Sequence, residues 1–304
     1  MKWEKLGRVY GPDGSSDWAR HSALQPTPIV LDDRIRVFCA FRDDDGMGRV
    51  GFVDLDLTDP TQVLGASPNP VLDIGAPGAF DCHGVVPTAI AQRDEGLYLY
   101  YAGYLRGDAE VRFRAYCGLA ISTDDGQSFQ RYSTDPILPA TGEETLFRVI
   151  HSLIHEDGMW KAWYGGGSDF VRGKAKSLPV YNIRYMESSD GIHFPDRGEV
   201  ALDNLGEEHR VGRPYVVRNG DEYLMFFGKG SEDNPYELAF ARSSDGRNWD
   251  RQDDVLGLPL SAKGWDSEMM AYPAVVAAGD QTYMFYNGNA YGRDGFGCAR
   301  LVEW

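Results

Sequence analysis

Five loops spread along the chain bring together the residue types that acid–base and anion-binding chemistry use. They read GSSDWARHSALQ, GAFDCHGVV, GEETLFRVIHS, GEEHRVGRP and GWDSEMMAYP, and each carries a carboxylate: Asp17, Asp81, Glu143 with Glu144, Glu207 with Glu208, and Asp266 with Glu268. Four of the six histidines (His21, His83, His151 and His209) stand in the first four of these loops, with Arg20, Arg148, Arg213 and, in the fifth, Tyr272. A further segment, FRDDDG, adds Arg42, Asp43, Asp44 and Asp45. Carboxylates and imidazoles move protons near neutral pH, and guanidinium groups pair with anions. A ligand with many hydroxyl groups needs such a mixture of donors and acceptors. One loop carboxylate taken alone is ordinarily a solvated turn residue. Recurrence at one place in a repeat is what argues for a site. The histidines lie a whole repeat apart, which is not a local metal-ligand motif, so no metal site is predicted.

The elements that must position these loops are strands. DRIRVFCAF, GLYLYYAG, GMWKAWYG, EYLMFFG and TYMFYNG share one aromatic-rich pattern, and Phe41, Gly103, Gly165, Gly228 and Asn287 fall at intervals of 62, 62, 63 and 59. Each segment is preceded by a short apolar strand and followed by another, and three of the latter run into a Ser-x-Asp-Gly turn: STDDGQSF, SSDGIHF and SSDGRNW. In such a turn Asp caps its own backbone and Gly takes positive φ. Four antiparallel strands in about 60 residues, repeated five times, predict an all-β, five-bladed β-propeller. It spans residues 1–304 as one domain. The last repeat stops after its third strand, so residues 2–10 are expected to supply the fourth and close the ring. The loops before each first strand then share one face with FRDDDG, and the Ser-x-Asp-Gly turns occupy the other.

Composition narrows the partners. The chain has 304 residues, 46 acidic against 30 basic, for a net charge of −16. A field of that sign opposes nucleic acid and anionic membranes, and no apolar run approaches the ~20 residues of a membrane span. The start, MKWEKLGRVYGPDG, lacks the apolar core of a signal peptide. Cys39, Cys117 and Cys298 sit in apolar runs and Cys82 has no paired partner in sequence, so a cytoplasmic protein with free thiols is expected. Oligomeric state is left open.

The run from channel strand through YLYYAG to YCGLAISTDDGQSF resembles the five-bladed glycoside hydrolases, of arabinanase, xylosidase and invertase type, and their β-mannoside phosphorylase relatives. The resemblance implies acidic residues at the channel mouth that cleave or transfer a glycosidic bond, with a sugar or sugar derivative as substrate. One departure is plain: those hydrolases carry Asp-Pro at the first channel strand, where this chain has Gln25-Pro26. Arg213-Pro214 and Tyr272-Pro273 occupy the comparable later places.

With the family's acids not transferable, position selects Asp43, Asp81 and Glu268 as acid–base candidates, with Glu208 in reserve. Three carboxylates from neighbouring blades would face one bond, and crowding would raise the pKa of one of them. Arg20, His21, Gln25, Arg42, His83, His151, Arg213, Tyr272 and Asn287 are expected to hold the ligand, with Trp18 or Tyr272 stacking on a sugar face. The gathering of Arg and His on this face, together with VRGKAKS, predicts an anionic or phosphorylated sugar. No cofactor is required, although a cation bound in the channel fits FRDDDG. A phosphorylase or transferase of glycan synthesis and a non-catalytic carbohydrate-binding propeller are the competing functions.

Overall fold

The computed structural model describes residues 1–304. The first strand, β1 (Lys2–Tyr10), is followed by five runs of strands. The first run is β2 (His21–Val30), β3 (Arg34–Arg42), β4 (Gly48–Asp56) and β5 (Val63–Ala66); the second is β6 (Val85–Arg93), β7 (Gly96–Arg106), β8 (Phe113–Ser122) and β9 (Gln130–Arg131). The third comprises β10 (Phe147–Glu156), β11 (Met159–Arg172), β12 (Ser177–Ser188) and β13 (Glu199–Leu202). The fourth comprises β14 (Arg210–Asn219), β15 (Glu222–Gly230), β16 (Glu237–Ser243) and β17 (Asp250–Arg251). The fifth run is β18 (Ala271–Ala278), β19 (Gln281–Asn287) and β20 (Phe296–Glu303).

Within every run, consecutive strands pair antiparallel. The fifth run gains its fourth strand from the other end of the chain, because β1 pairs antiparallel with β20, from Lys2 opposite Glu303 to Tyr10 opposite Phe296. The first strands pack side by side in cyclic order: β2 on β6, β6 on β10, β10 on β14, β14 on β18, and β18 back on β2. Only short turns interrupt the strands, the 3-10 turn Asp253–Val255 and the helical turn Asn289–Gly292. No helix is long and apolar enough to cross a membrane.

The aromatic-rich second strands are buried on both faces, as in β3, where Ile35 to Phe41 are all buried. That is why they read as continuous apolar runs rather than alternating ones. Apolar clusters fill the space between neighbouring runs: Ile35, Val37 and Cys39 against Tyr283, Phe285 and Cys298, for example, and Trp163 and Ile183 against Met225 and Phe227. The Ser-x-Asp-Gly turns lock neighbours together. Gly126, Gly191 and Gly246 all take positive φ. The Gly191 carbonyl accepts from Tyr100 Oη at 2.8 Å and the Gly246 carbonyl from Trp163 Nε1 at 2.8 Å, each donor lying one run earlier. All four cysteines are free, with Cys39, Cys117 and Cys298 buried.

Candidate functional site

Each first strand breaks its ladder register at one equivalent place. The interruptions fall at Gln25-Pro26, Thr88, His151, Arg213-Pro214 and Tyr272-Pro273. Proline has no N–H for the ladder, so the strand bulges there, and a bulge re-aims its side chains. Gln25, Arg213 and Tyr272 adopt φ of 54°, 53° and 60°, a left-handed conformation that costs a non-glycine residue about 1 kcal/mol or more and persists where surroundings enforce it. Four of these five side chains, Gln25, His151, Arg213 and Tyr272, line one cavity of about 410 Å³. Thr88, the fifth, is buried and donates to the Tyr100 carbonyl.

Arg213 is only 2% exposed. Its Nη2 donates to the Pro26 carbonyl at 3.1 Å and to Thr27 Oγ1 at 3.0 Å, and its Nη1 donates to the carbonyls of Thr88 and His151. These acceptors belong to three other runs, so the guanidinium ties four runs together at the centre. All its partners are neutral, its Nε has none, and burial pushes its pKa down to about 10. His151 also lacks a partner at its enclosed Nδ1, and its Nε2 lies beside Gly165 at the cavity wall. Burial, then the charge of Arg213, hold the His151 imidazole well below its usual value, so the ring is neutral. The Gln25 Oε1 is a third buried polar atom without a partner, while the Gln25 N–H is fixed by Asn287 Oδ1 at 2.8 Å. Burial raises the Tyr272 phenol well above its ordinary value.

Above this floor the wall is basic and phenolic. Arg42, Arg106, Arg112, Lys176 and Arg210 line it with His83, Tyr104, Tyr181, Tyr236 and Tyr291. Arg210, 5% exposed, lies over the Tyr236 ring at 4.7 Å, and its Nη1 is 2.9 Å from His209 Nε2. His209 Nδ1 is 2.7 Å from the Pro179 carbonyl, so Nδ1 carries the proton and Nε2 accepts from Arg210, a tautomer that aims the guanidinium. Lys176 is pushed below its usual pKa by burial and then by Arg112 and Arg210, three like charges converging. Arg106 N–H donates to His83 Nδ1 at 3.2 Å. Tyr291 enters on the turn Asn289–Gly292 with φ of 58°.

None of the 46 carboxylates lines this cavity, and none of its six Arg and Lys residues makes an ion pair. Ion pairs are plentiful elsewhere, as between Arg49 and Asp43 or Arg251 and Glu208. The cavity is therefore a cationic enclosure inside an acidic protein.

The carboxylates chosen from sequence are engaged elsewhere. Asp81, 1% exposed, accepts from Tyr101 Oη at 3.1 Å and Arg131 Nε at 2.8 Å. Glu144 accepts from Tyr164 Oη at 2.7 Å and Arg148 Nε at 2.7 Å; Asp266 accepts from Tyr286 Oη at 3.1 Å and Lys5 Nζ at 2.7 Å. In all three cases the tyrosine follows its acid by 20 residues. In these three loops the acid is thus a latch tying the loop to the second strand of its own run. Glu208 is held by Arg251 at 2.5 Å. Asp43 binds Arg49 at 2.6 Å and caps the Met47 N–H at 2.8 Å, contacts that hold its pKa below normal against burial. Glu268 is exposed and contributes its N–H to Asn289 Oδ1.

Of the expected ligand-binding residues, Gln25, Arg42, His83, His151, Arg213 and Tyr272 meet in the cavity. Arg20 does not, being paired with Asp17 at 2.5 Å and Asp44 at 3.4 Å. His21 lies beside Ser22 Oγ at 2.8 Å. Asn287 is wholly buried and spends its amide on the backbones of Ala23, Gln25 and Gly295. Trp18 packs edge-on against Phe41 and donates to the Pro68 carbonyl. Six positive charges and no acidic ligand line the cavity where a channel cation would sit, and no cluster of three or more His, Cys, Asp or Glu occurs anywhere. Sequence reasoning missed Arg106, Arg112, Arg210 and four of the five tyrosines. Arg112 and Tyr236 stand in loops, Tyr291 in the helical turn, Arg106, Arg210 and Tyr104 near strand ends, and Tyr181 within β12.

No family model matches the chain. It is 34% identical over 305 residues to the uncharacterized protein Rv1502 of Mycobacterium tuberculosis H37Rv, covering 99% of each, and to MT1551 of strain CDC 1551 at the same identity and coverage. Among solved structures it is similar to a glycoside hydrolase at a TM-score of 0.74 and 17% identity, covering 99% of this chain and 92% of that one. It is also similar to a GH43_1 enzyme from Xanthomonas citri complexed with xylose, at a TM-score of 0.67 and 14% identity over 99% and 91%. At such identities the likeness is one of fold: the chain has the all-β fold of the propeller glycoside hydrolases.

Proposed function

The chain belongs to one family with Rv1502 and MT1551 of Mycobacterium tuberculosis, and from its fold and its cavity we propose a carbohydrate-active enzyme that breaks a glycosidic bond in an acidic saccharide. The scaffold in this reading is one five-bladed propeller domain, supported by the cyclic packing of the five first strands and the pairing of β1 with β20. One observation carries the substrate: six cations without ion-pair partners and no carboxylate line the cavity of a chain whose net charge is −16. An uncompensated guanidinium at 2% exposure is costly, and an anionic ligand relieves that cost. The volume of about 410 Å³ lies within the usual range for small-molecule sites. Five tyrosines give the walls both apolar faces for sugar rings and hydroxyls for their oxygens.

Asp43, Asp81 and Glu268 have no catalytic part in this reading, and the carbonyl-held Arg213 takes the central place. Calorimetric titration with matched neutral and acidic saccharides tests it, for example galactobiose against digalacturonate and cellobiose against cellobiouronate. The acidic member of at least one pair should bind 10-fold or more tighter, and Lys176→Ala should erase much of that margin. Equal affinity for both members of every pair would overturn the proposal.

A further inference from the structure

The reading of the cavity as a site for an acidic saccharide constrains how the bond breaks. Hydrolysis by paired carboxylates needs two acids about 5–10 Å apart at the scissile bond, and this cavity has none. A uronate offers another route. Its C5–H lies next to a carboxylate and its C4 carries the glycosidic oxygen, so removal of the C5 proton can expel that oxygen without water. Such a reaction needs a cation on the carboxylate, a neutral base and a proton donor for the leaving oxygen.

The floor supplies those three types at equivalent places of three adjacent first strands: Arg213 without a counter-ion, His151 without a partner on its ring, and the Tyr272 phenol. We infer that this floor catalyses β-elimination from a 4-linked hexuronate, with His151 as base, Tyr272 as acid and the uncompensated charge of Arg213, whose Nη donors are held by the protein, stabilising the carboxylate. In the step, His151 Nε2 takes the C5 proton and the C5–H electron pair becomes the C4=C5 double bond. The C4–O4 bond breaks, its electrons pass to O4, and O4 takes the proton of Tyr272 Oη. Solvent accepts the proton from the imidazolium and restores that of the phenol, so no oxidant, metal or hydrolytic water is consumed. Gln25, whose Oε1 has no protein partner, accepts from a hydroxyl of the same ring. The neutral state of His151 and the protonated state of Tyr272, both enforced by burial, are those the step requires.

The test uses methyl hexuronides of gluco, galacto and manno configuration, each bearing at O4 either a sugar or a 4-nitrophenyl group, incubated with the full chain in heavy-oxygen water. Expected are the ultraviolet absorbance of a conjugated C4=C5 carboxylate, no heavy oxygen in the products, and several-fold slower turnover of C5-deuterated substrate. His151→Gln should lose about 10²–10⁴ of turnover with binding unchanged. Tyr272→Phe should lose turnover of the sugar-linked probe and keep that of the nitrophenyl probe, whose leaving group needs no acid. The isotope effect on the unaltered protein tests the step even if a variant fails to fold. Heavy oxygen in the products, or binding of these uronides without formation of the double bond, overturns the elimination and leaves the acidic-saccharide reading standing. Failure of every acidic saccharide to bind overturns both.

Discussion

Arg213 Nη2 donates to the Pro26 carbonyl at 3.1 Å, across 187 residues of chain. The same guanidinium also holds Thr27, Thr88 and His151, so a side chain that faces the ligand is also a central tie of the scaffold. Arg213→Met keeps the bulk and removes every one of these donors. Buried carbonyls left without donors cost about 1–3 kcal/mol each at most, so a loss of about 2–4 kcal/mol in urea unfolding is expected. Arg213→Lys should recover little of it, because an ammonium cannot span four acceptors in a planar fork.

The Tyr–carboxylate latches make a contrasting prediction. Asp81→Asn should lower stability by about 2–4 kcal/mol, because Arg131 and Tyr101 lose their charged partner in a buried setting. Turnover per folded molecule should stay within about twofold of the parent. Glu268→Gln, at an exposed site, should change stability by no more than about 0.5 kcal/mol. A selective collapse of turnover in either variant, with folding intact, would return these acids to the catalytic set.

Ionic strength separates the rim from the floor. Arg42 and Lys176 make no side-chain hydrogen bond to the protein and their charges face the cavity, so their pull on an anion should weaken as salt screens it. Affinity for an acidic saccharide should fall on raising salt from about 0.05 to 0.5 M, and the fall should be shallower in Lys176→Ala. Arg213 is enclosed and less screened. Saturating acidic ligand should raise the melting temperature, by about 2.7 kcal/mol of stabilisation at 100 times Kd, and a neutral analogue should do so less.

Stability should also fall on mild acidification. His21, His151 and His209 are all held below their usual 6.5, each chiefly by burial, aided by neighbouring arginines. The unfolded chain therefore takes up protons near pH 6.5 that the folded chain refuses until lower pH, and stability drops as pH falls through that window. Melting curves from pH 7.5 to about 5 should show the decline above the range where carboxylates titrate. His151→Asn should flatten it. An unchanged slope in that variant would place the effect on the other two imidazoles.

The strand plan was readable because five aromatic runs at near-constant spacing have no other regular explanation, and Ser122, Ser188 and Ser243 with their Asp and Gly partners form the same turn each time. The site was half readable. Gln25, His151, Arg213 and Tyr272 stand at one repeat position, and the prolines after three of them mark the bulges. Repetition of a carboxylate looks the same whether the residue repeats for a ligand or for the scaffold. Telling them apart required Tyr101, Tyr164 and Tyr286, which lie 20 residues on in strands whose facing the linear order does not reveal. Arg112 escaped because it meets Lys176, itself marked by VRGKAKS, only through the loops that join β7 to β8 and β11 to β12.

The pairing of β1 with β20 carries a consequence for synthesis. Lys2–Tyr10 is made before the five runs and meets its hydrogen-bonding partner, Phe296–Glu303, only after those runs have followed. Until then one edge of the nascent protein is an open strand waiting for a sheet. Four of the five runs can assemble before the last is made, and the cavity, which needs residues from every run, takes shape only once the fifth has emerged.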